Sequence, residues 1–427
     1  MASIKAFFEK LQSSTSTSTE PQFGDKISLE KLEQLFPIRN LSEEIRQSFA
    51  SENHVELINA GTTLFTADTP ADCAIYLISG NIKLTDQNGR GYIIESGSDQ
   101  AKFPICSGDK HTTTAVAQTA LSILRVSLKI MSTRNRFQHK SLEIPDALKS
   151  NQLLALFADH FQNHEMEIPS LPEVAIKLRH AIQKDVDIKD AVKIIQLDPA
   201  ISAKLIEVAN CPLYLTVNPA TNCLDAVNRI GLNATRNLVV AISLKQIFKT
   251  KSPHIKVRLE KLWKNSLYMS ALCHVLATSC QQANPEDALL AGLVCDIGVI
   301  PFLSFVANLP DEFINEAEIN QALPIVIGRI GATVLKEWQF ADEFVDVALN
   351  SSNWYENGSK QLSLTDIVVL SRLHSLIGQK NNTELPAITA IPAASKLKGM
   401  ALSPENTLAI LHDAKNQINE ALAIFSR

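Results

Sequence analysis

Between about residues 50 and 130 apolar positions recur at every second residue, the period of a strand with one buried face. Val55 and Leu57 alternate with polar neighbours, Gly61 breaks the run, and Leu64-Phe65 resumes it. Residues 74–78 (Ala-Ile-Tyr-Leu-Ile) end at Ser79-Gly80. Ile82 and Leu84 then lead into Asn88-Gly89, which predicts a tight hairpin with both central residues at positive φ. Residues 92–94 return, and 112–119 with 121–126 form a last pair. Many short strands joined by Gly-marked turns predict a compact β-barrel or β-roll.

From about residue 150 the period changes to 3.6. Ser170-Leu-Pro-Glu173 reads as a capping box with proline in the first turn, backed by Val174, Leu178, Ala181 and Ile182. Asp187 and Asp190 open a helix carrying Ile188, Ala191, Val192 and Ile195, and Asp198-Pro199 opens the next, with Ile201, Leu205 and Ala209 on one face. A further helix holds Leu224, Val227 and Ile230, with Gly231 as a left-handed C-cap, and Asn233 restarts the chain. Five helices with short loops predict an all-α bundle.

A chain of 427 residues, 45% hydrophobic and 20% charged, suits two or three folded domains rather than disorder. The Ser/Thr run at 13–19 marks a flexible N-terminal segment with its linker over 1–30, ahead of domains at 31–140 and 150–427. Residues 1–150 hold 16 Lys+Arg against 17 Asp+Glu, and the remainder 24 against 28, so neither part has the basic surface expected of a nucleic-acid or anionic-membrane binder. The helix pair at 187–209 mimics a helix-turn-helix, but its second helix offers only Lys204, flanked by Asp198 and Glu207, so DNA readout is not expected. Seven scattered cysteines without a Cys-x-x-Cys pair point to a reducing, cytoplasmic setting. The N-terminus shows no signal-peptide apolar block, and no uninterrupted apolar run reaches membrane-spanning length.

The strand at 74–80 and the hairpin at Gly89 resemble the cyclic-nucleotide-binding-domain family over roughly 31–140. That family uses a Gly-Glu pair for the ribose and an arginine for the cyclic phosphate. Here the Glu position falls in Ser98-Asp99-Gln100-Ala101 and His111 stands at the arginine's place. A neutral imidazole does not replace a bidentate guanidinium, so a β-roll that does not bind cyclic AMP is expected.

Ile168-Pro-Ser-Leu-Pro172, Leu197-Asp-Pro-Ala200, Ala209-Asn210 and Ala226-Val-Asn-Arg-Ile-Gly231 resemble the HDOD domain, a helical signalling module of the HD superfamily. Leu262-Trp263, Ala291-Gly-Leu-Val-Cys-Asp-Ile-Gly298, Gly331-Ala332 and Trp338 extend the resemblance over roughly 150–425. The expected architecture is therefore multidomain α and β: an N-terminal cyclic-nucleotide-binding-like β-roll, then an all-α HDOD helical domain with a C-terminal helical extension, at 150–427.

Catalytic HD-superfamily members hold divalent metal with a first His, a His-Asp pair and a distant Asp, because imidazoles and carboxylates must converge on the ion that activates water. At these positions the resemblance places Asn265, Cys295-Asp296 and Ser371-Arg372, and the stretches 325–331 and 348–353 contain no His. Only Asp296 survives. His160 and His164, four apart, read as a polar helix face rather than a metal pair, and Cys273 and Cys280 read as core filler. No nucleophile elbow or phosphate loop occurs.

The chain is accordingly expected to be a non-catalytic bacterial signal-transduction or regulatory protein that works through contacts with a signalling-protein partner. No cofactor, nucleic acid or membrane is expected, and a bistable arrangement of the domains is the implied mechanism. Asn210, Tyr214 and Arg229, with His111 and Asp99 in the roll, are the candidate ligand or partner contacts; the alternative for the helical three is plain helix packing. A second-messenger nucleotide sensor, and a residual metal-dependent phosphodiesterase using Asp296, remain the other readings.

Overall fold

A computed structural model describes residues 22–41, 43–131, 148–163, 168–171, 173–182, 186–211, 218–248, 252–310, 313–377 and 384–398, with six isolated positions besides. The chain divides into two compact units, one drawn from Met1–Met131 with Thr383–Ala390, the other from Ser132–Asn382 with Ile391–Arg427.

The first unit holds two antiparallel four-stranded sheets. One has the order β1 (Gln22–Lys26), β2 (His54–Ile58), β8 (Leu121–Ser127), β4 (Cys73–Ser79); the other has β3 (Thr63–Phe65), β7 (Thr114–Ala117), β5 (Asn81–Thr85), β6 (Gly91–Glu95). Ile75, Leu77, Ile82, Leu84, Ala115 and Ile123 pack with Phe65 and Ile94 into one core between them. The run 74–77 is buried on both faces of β4. Its second face is covered because the Tyr76 hydroxyl donates to the Phe36 carbonyl at 2.7 Å and meets Met131 Sδ at 3.2 Å. Gly80 is required where β4 turns into β5: its φ is +88°, and a Cβ would lie 2.6 Å from the Ala120 carbonyl oxygen. The helices of this unit are α1 (Leu29–Leu32), α2 (Glu43–Glu52) and α3 (Leu128–Met131).

Three expectations change here. Strand β1 pairs with β2, Gln22 opposite Leu57, so residues 22–26, assigned to the flexible 1–30 segment, belong to the roll. The boundaries 31–140 and 150–427 also miss the return of Thr383–Ala390 to the first unit. The β5–β6 turn is not a two-residue hairpin. Only Gly89 has positive φ, and the Asp86 carboxylate organises a longer loop by accepting the Asn88 and Arg90 amides at 2.9 and 2.8 Å. That local side-chain bond removes the need for a second positive φ.

The second unit is helical: α4 (Gln152–Gln162), α5 (Glu173–Ile182), α6 (Ile188–Ile195), α7 (Pro199–Ala209), α8 (Cys223–Ile230), α9 (Leu232–Leu244), α10 (Pro253–Cys280), α11 (Pro285–Val294), α12 (Val299–Ala307), α13 (Glu316–Glu337), α14 (Asp342–Asn350), α15 (Leu364–Leu376) and α16 (Pro392–Ser395). Asp187 and Asp198 cap α6 and α7 by accepting backbone amides. The capping box at Ser170–Glu173 includes Pro172, which lies outside the described residues. Gly231 does have positive φ, but with ψ 153° it is not a left-handed helical cap. It occupies a region essentially reserved for glycine and joins α8 directly to α9.

Pro285–Ala307 is long and apolar enough to cross a membrane by length and composition, although Asp296 interrupts it, and 83% of its apolar window is buried inside the protein. It forms α11 and α12, with α11 packed along α10. Two distant motifs meet where the Trp338 indole N–H donates to the Pro169 carbonyl at 2.9 Å.

One buried ion pair fastens the end of the described chain. Lys396 Nζ reaches both Asp366 oxygens at 2.8 and 3.0 Å, with side chains 5% and 2% exposed. Asp366 also closes the capping box of α15 with Ser363. Lys396→Met strands that carboxylate and is expected to cost about 3–5 kcal/mol in urea denaturation; a loss below about 1 kcal/mol would mean that water solvates the pair.

Candidate functional site

Asp296, the carboxylate that the resemblance singled out, sits in the turn between α11 and α12. Gly298 sets the turn's position, because a Cβ there would stand 2.2 Å from the Ile327 carbonyl oxygen and 2.4 Å from the Gly331 amide of α13. The turn is thereby pressed against α13. From α15, Arg372 donates to Asp296 Oδ1 at 2.7 Å, and the same nitrogen lies 3.3 Å from Cys295 Sγ and 3.4 Å from Ser351 Oγ. Both members of the ion pair are mostly buried.

The electrostatics follow from this contact. Burial alone would lower the Arg372 pKa, but the Asp296 charge overrides it and holds the guanidinium firmly protonated. Burial, reinforced by the Asp296 charge, pushes the Cys295 thiol well above its ordinary value, and burial pushes Cys273 up to about 12. These sulfurs are thiols, not thiolates, and a soft metal binds the thiolate. Asn265 is exposed on α10 and makes no hydrogen bond to Asp296 or Arg372. The donor set does not fit a divalent metal, since the one carboxylate is neutralised by a fixed cation. Among the described residues no three His, Cys, Asp or Glu side chains converge as metal ligands. His160 lies against the Phe305 ring at 4.9 Å, and His164 is outside the described residues.

Asn210 and Arg229 are brought together. The Asn210 amide copies a backbone partner for Ala220, donating to its carbonyl at 2.9 Å and accepting its N–H at 2.7 Å. Arg229 donates to the Ala209 carbonyl and to Asn210 Oδ1, both at 3.0 Å, and to the Asn218 carbonyl. Tyr214 stands apart from them and donates to the Glu286 carboxylate at 2.7 and 2.8 Å. Burial pushes both Tyr214 and Glu286 up. All three side chains are engaged in holding the chain between α7 and α11.

In the first unit His111 is buried (7% exposed) and stacks on Phe65 at 4.0 Å. Its Nδ1 has no hydrogen-bond partner, and burial lowers its pKa from 6.5. Asp99 is ion-paired to Lys102 at 2.8 Å. Sequence reasoning missed Ser351, and it missed the hydroxyls Tyr92, Ser107 and Thr112. None of them falls in a recognisable motif, and only the folded chain shows what they face.

Residues 168–354 match the HDOD domain model. The chain is similar in fold to a putative metal-dependent phosphohydrolase from Shewanella amazonensis SB2B, at 27% identity and TM-score 0.56, covering 65% of this chain and 99% of that one. A Treponema pallidum (strain Nichols) protein, named only as uncharacterized, is 24% identical over 214 residues, 46% of this chain. The chain spans 39% of that relative's length. A cyclic nucleotide-binding-like protein from Brucella abortus bv. 1 str. 9-941 aligns at 22% identity and TM-score 0.19, covering 23% of this chain and 89% of that one.

Two outcomes follow for the site. Arg372→Met should destabilise the protein by about 3–5 kcal/mol by orphaning Asp296, and Arg372→Met with Asp296→Leu should recover most of the loss; equal instability in both variants would refute the pairing. The second outcome concerns pH. His111 is depressed when folded, so below about pH 6.5 the unfolded chain binds protons first and stability falls. Melting between pH 7.5 and 5 should therefore drop less in His111→Phe than in wild type; equal drops would exclude His111 as a source of acid lability.

Proposed function

We propose that this chain is a non-catalytic regulatory protein of bacterial signal transduction, whose HDOD domain acts by binding a signalling protein in the cytoplasm. The single observation that carries the reading is the Arg372 guanidinium on Asp296. A permanent internal cation stands where a phosphohydrolase would need an exchangeable one, and it satisfies the last carboxylate of the set. Asn265 and Cys295 supply no second anionic ligand. Nucleic acid is a poor fit, since Lys204 of α7 is ion-paired with Glu207 at 2.9 Å. The seven cysteines are all free thiols, consistent with a reducing setting.

The test is thermal unfolding of the full chain with manganese, and with cyclic mono- and dinucleotides, alongside hydrolysis of a chromogenic phosphodiester. No shift and no turnover are expected; a ligand at a hundredfold its Kd would add about 2.7 kcal/mol. Manganese-dependent stabilisation or hydrolysis that disappears in Asp296→Asn would overturn the reading in favour of a phosphodiesterase. A shift with one nucleotide alone would favour the sensor.

A further inference from the structure

Residues 384–390 (Glu-Leu-Pro-Ala-Ile-Thr-Ala) are the one stretch beyond Met131 that belongs to the first unit. Ala387, Ile388, Thr389 and Ala390 are buried, Ile388 completely. Four separate parts of the roll converge on this stretch. The Thr112 hydroxyl donates to the Thr389 carbonyl, and the Ser107 hydroxyl donates to the Ala390 carbonyl. Tyr92 Oη and Thr389 Oγ1 are hydrogen-bonded at 3.0 Å. Lys102 Nζ holds Glu384 at 2.9 Å, with Arg39 at 3.6 Å from its other oxygen.

These contacts have the chemistry of peptide recognition. Two neutral hydroxyls read consecutive main-chain carbonyls, the Ile388 side chain is fully buried, and two cations take one carboxylate. Ser107 is itself only 1% exposed, and a buried hydroxyl needs a partner; here a peptide carbonyl is that partner. The contacts lie beside the positions compared with a nucleotide cassette, because Thr112 follows His111, and Lys102 bridges Asp99 to Glu384.

We propose that the Tyr92, Ser107 and Thr112 face of the β-roll is a peptide-binding site, that its resident ligand is this chain's own 384–390, and that it recognises a carboxylate followed by a short Leu-Pro-apolar stretch. The inference goes beyond the regulatory reading and holds whether or not the helical unit is catalytic. A ligand held in cis has an effective concentration of roughly millimolar order, so the site is closed to weak competitors until the segment is released.

The experiment uses the full chain and a fluorescent synthetic peptide spanning 382–392. Wild type should not bind the peptide at micromolar concentration, whereas Ile388→Asp, which expels the resident segment, should bind it at least about tenfold more tightly. Adding Thr112→Val and Ser107→Ala to that variant should abolish binding. Failure of a folded Ile388→Asp protein to bind, equal binding of a scrambled peptide, or displacement of the peptide by a cyclic nucleotide would each overturn the proposal. Should Ile388→Asp unfold, amide hydrogen exchange decides it in proteins that keep the segment. Slow exchange at 387–390 in wild type that accelerates in Thr112→Val supports the proposal; exchange at free-peptide rates in wild type overturns it.

Discussion

A carboxylate placed in the interior of a helical unit must be neutralised, and the helical unit of this chain is organised around how that is done for Asp296. Its turn is pressed against α13 by Gly298, whose missing Cβ permits the approach, and α15 delivers Arg372 to it at 2.7 Å. The pair supplies the compensating positive charge from within the fold. A metal exchanges its water and binds substrate oxygens, while a guanidinium already sharing its charge with Asp296, Cys295 and Ser351 has no coordination site to offer.

The same principle, polar groups spent on holding the chain, accounts for most of the motifs in the helical unit. Arg229 and Asn210 belong to different motifs in the sequence and form one hydrogen-bonded knot in the structure. Trp338 and Pro169 are joined by one bond. Gly331 lies where α13 meets the Gly298 turn. Asn210 and Arg229 fasten irregular backbone between helices, where carbonyls and amides need partners that helices do not provide.

What could be read in the sequence, and what could not, divides on the same line. Strand and helix periods located the roll and the bundle, because burial of one face is written directly in the alternation of residues. Asp187 and Asp198 announced their helix starts through side-chain chemistry that acts within three residues. The Asp296 turn and the substitution at Arg372 were legible by resemblance, yet their hydrogen bond was not, since it joins residues 76 apart. Asn88-Gly89 misled because the Asp86 carboxylate, two residues earlier, offered the backbone an alternative. Gly231 kept its positive φ but used it for a helix-to-helix joint. Lys396 and Asp366 gave no signal at all, because a lysine near the end of an apolar run looks like any surface lysine until its partner is known.

The return of 384–390 to the roll was beyond reach for a further reason. Its composition, one Glu followed by small and apolar residues, suits a strand, a loop or a core helix equally, and only complementary donors select among them. Those donors are in the roll. They are the hydroxyls of Ser107 and Thr112 and the phenol of Tyr92. Tyr92 is pushed up to about 12 by burial despite its bond to Thr389, so its hydroxyl stays protonated and able to donate. With the segment in place Ser107 is 1% exposed, and its carbonyl partner offsets the cost, about 1–3 kcal/mol, of burying an unpaired hydroxyl. Two adjacent peptide carbonyls, of Thr389 and Ala390, accept from Thr112 and Ser107 without any phosphate.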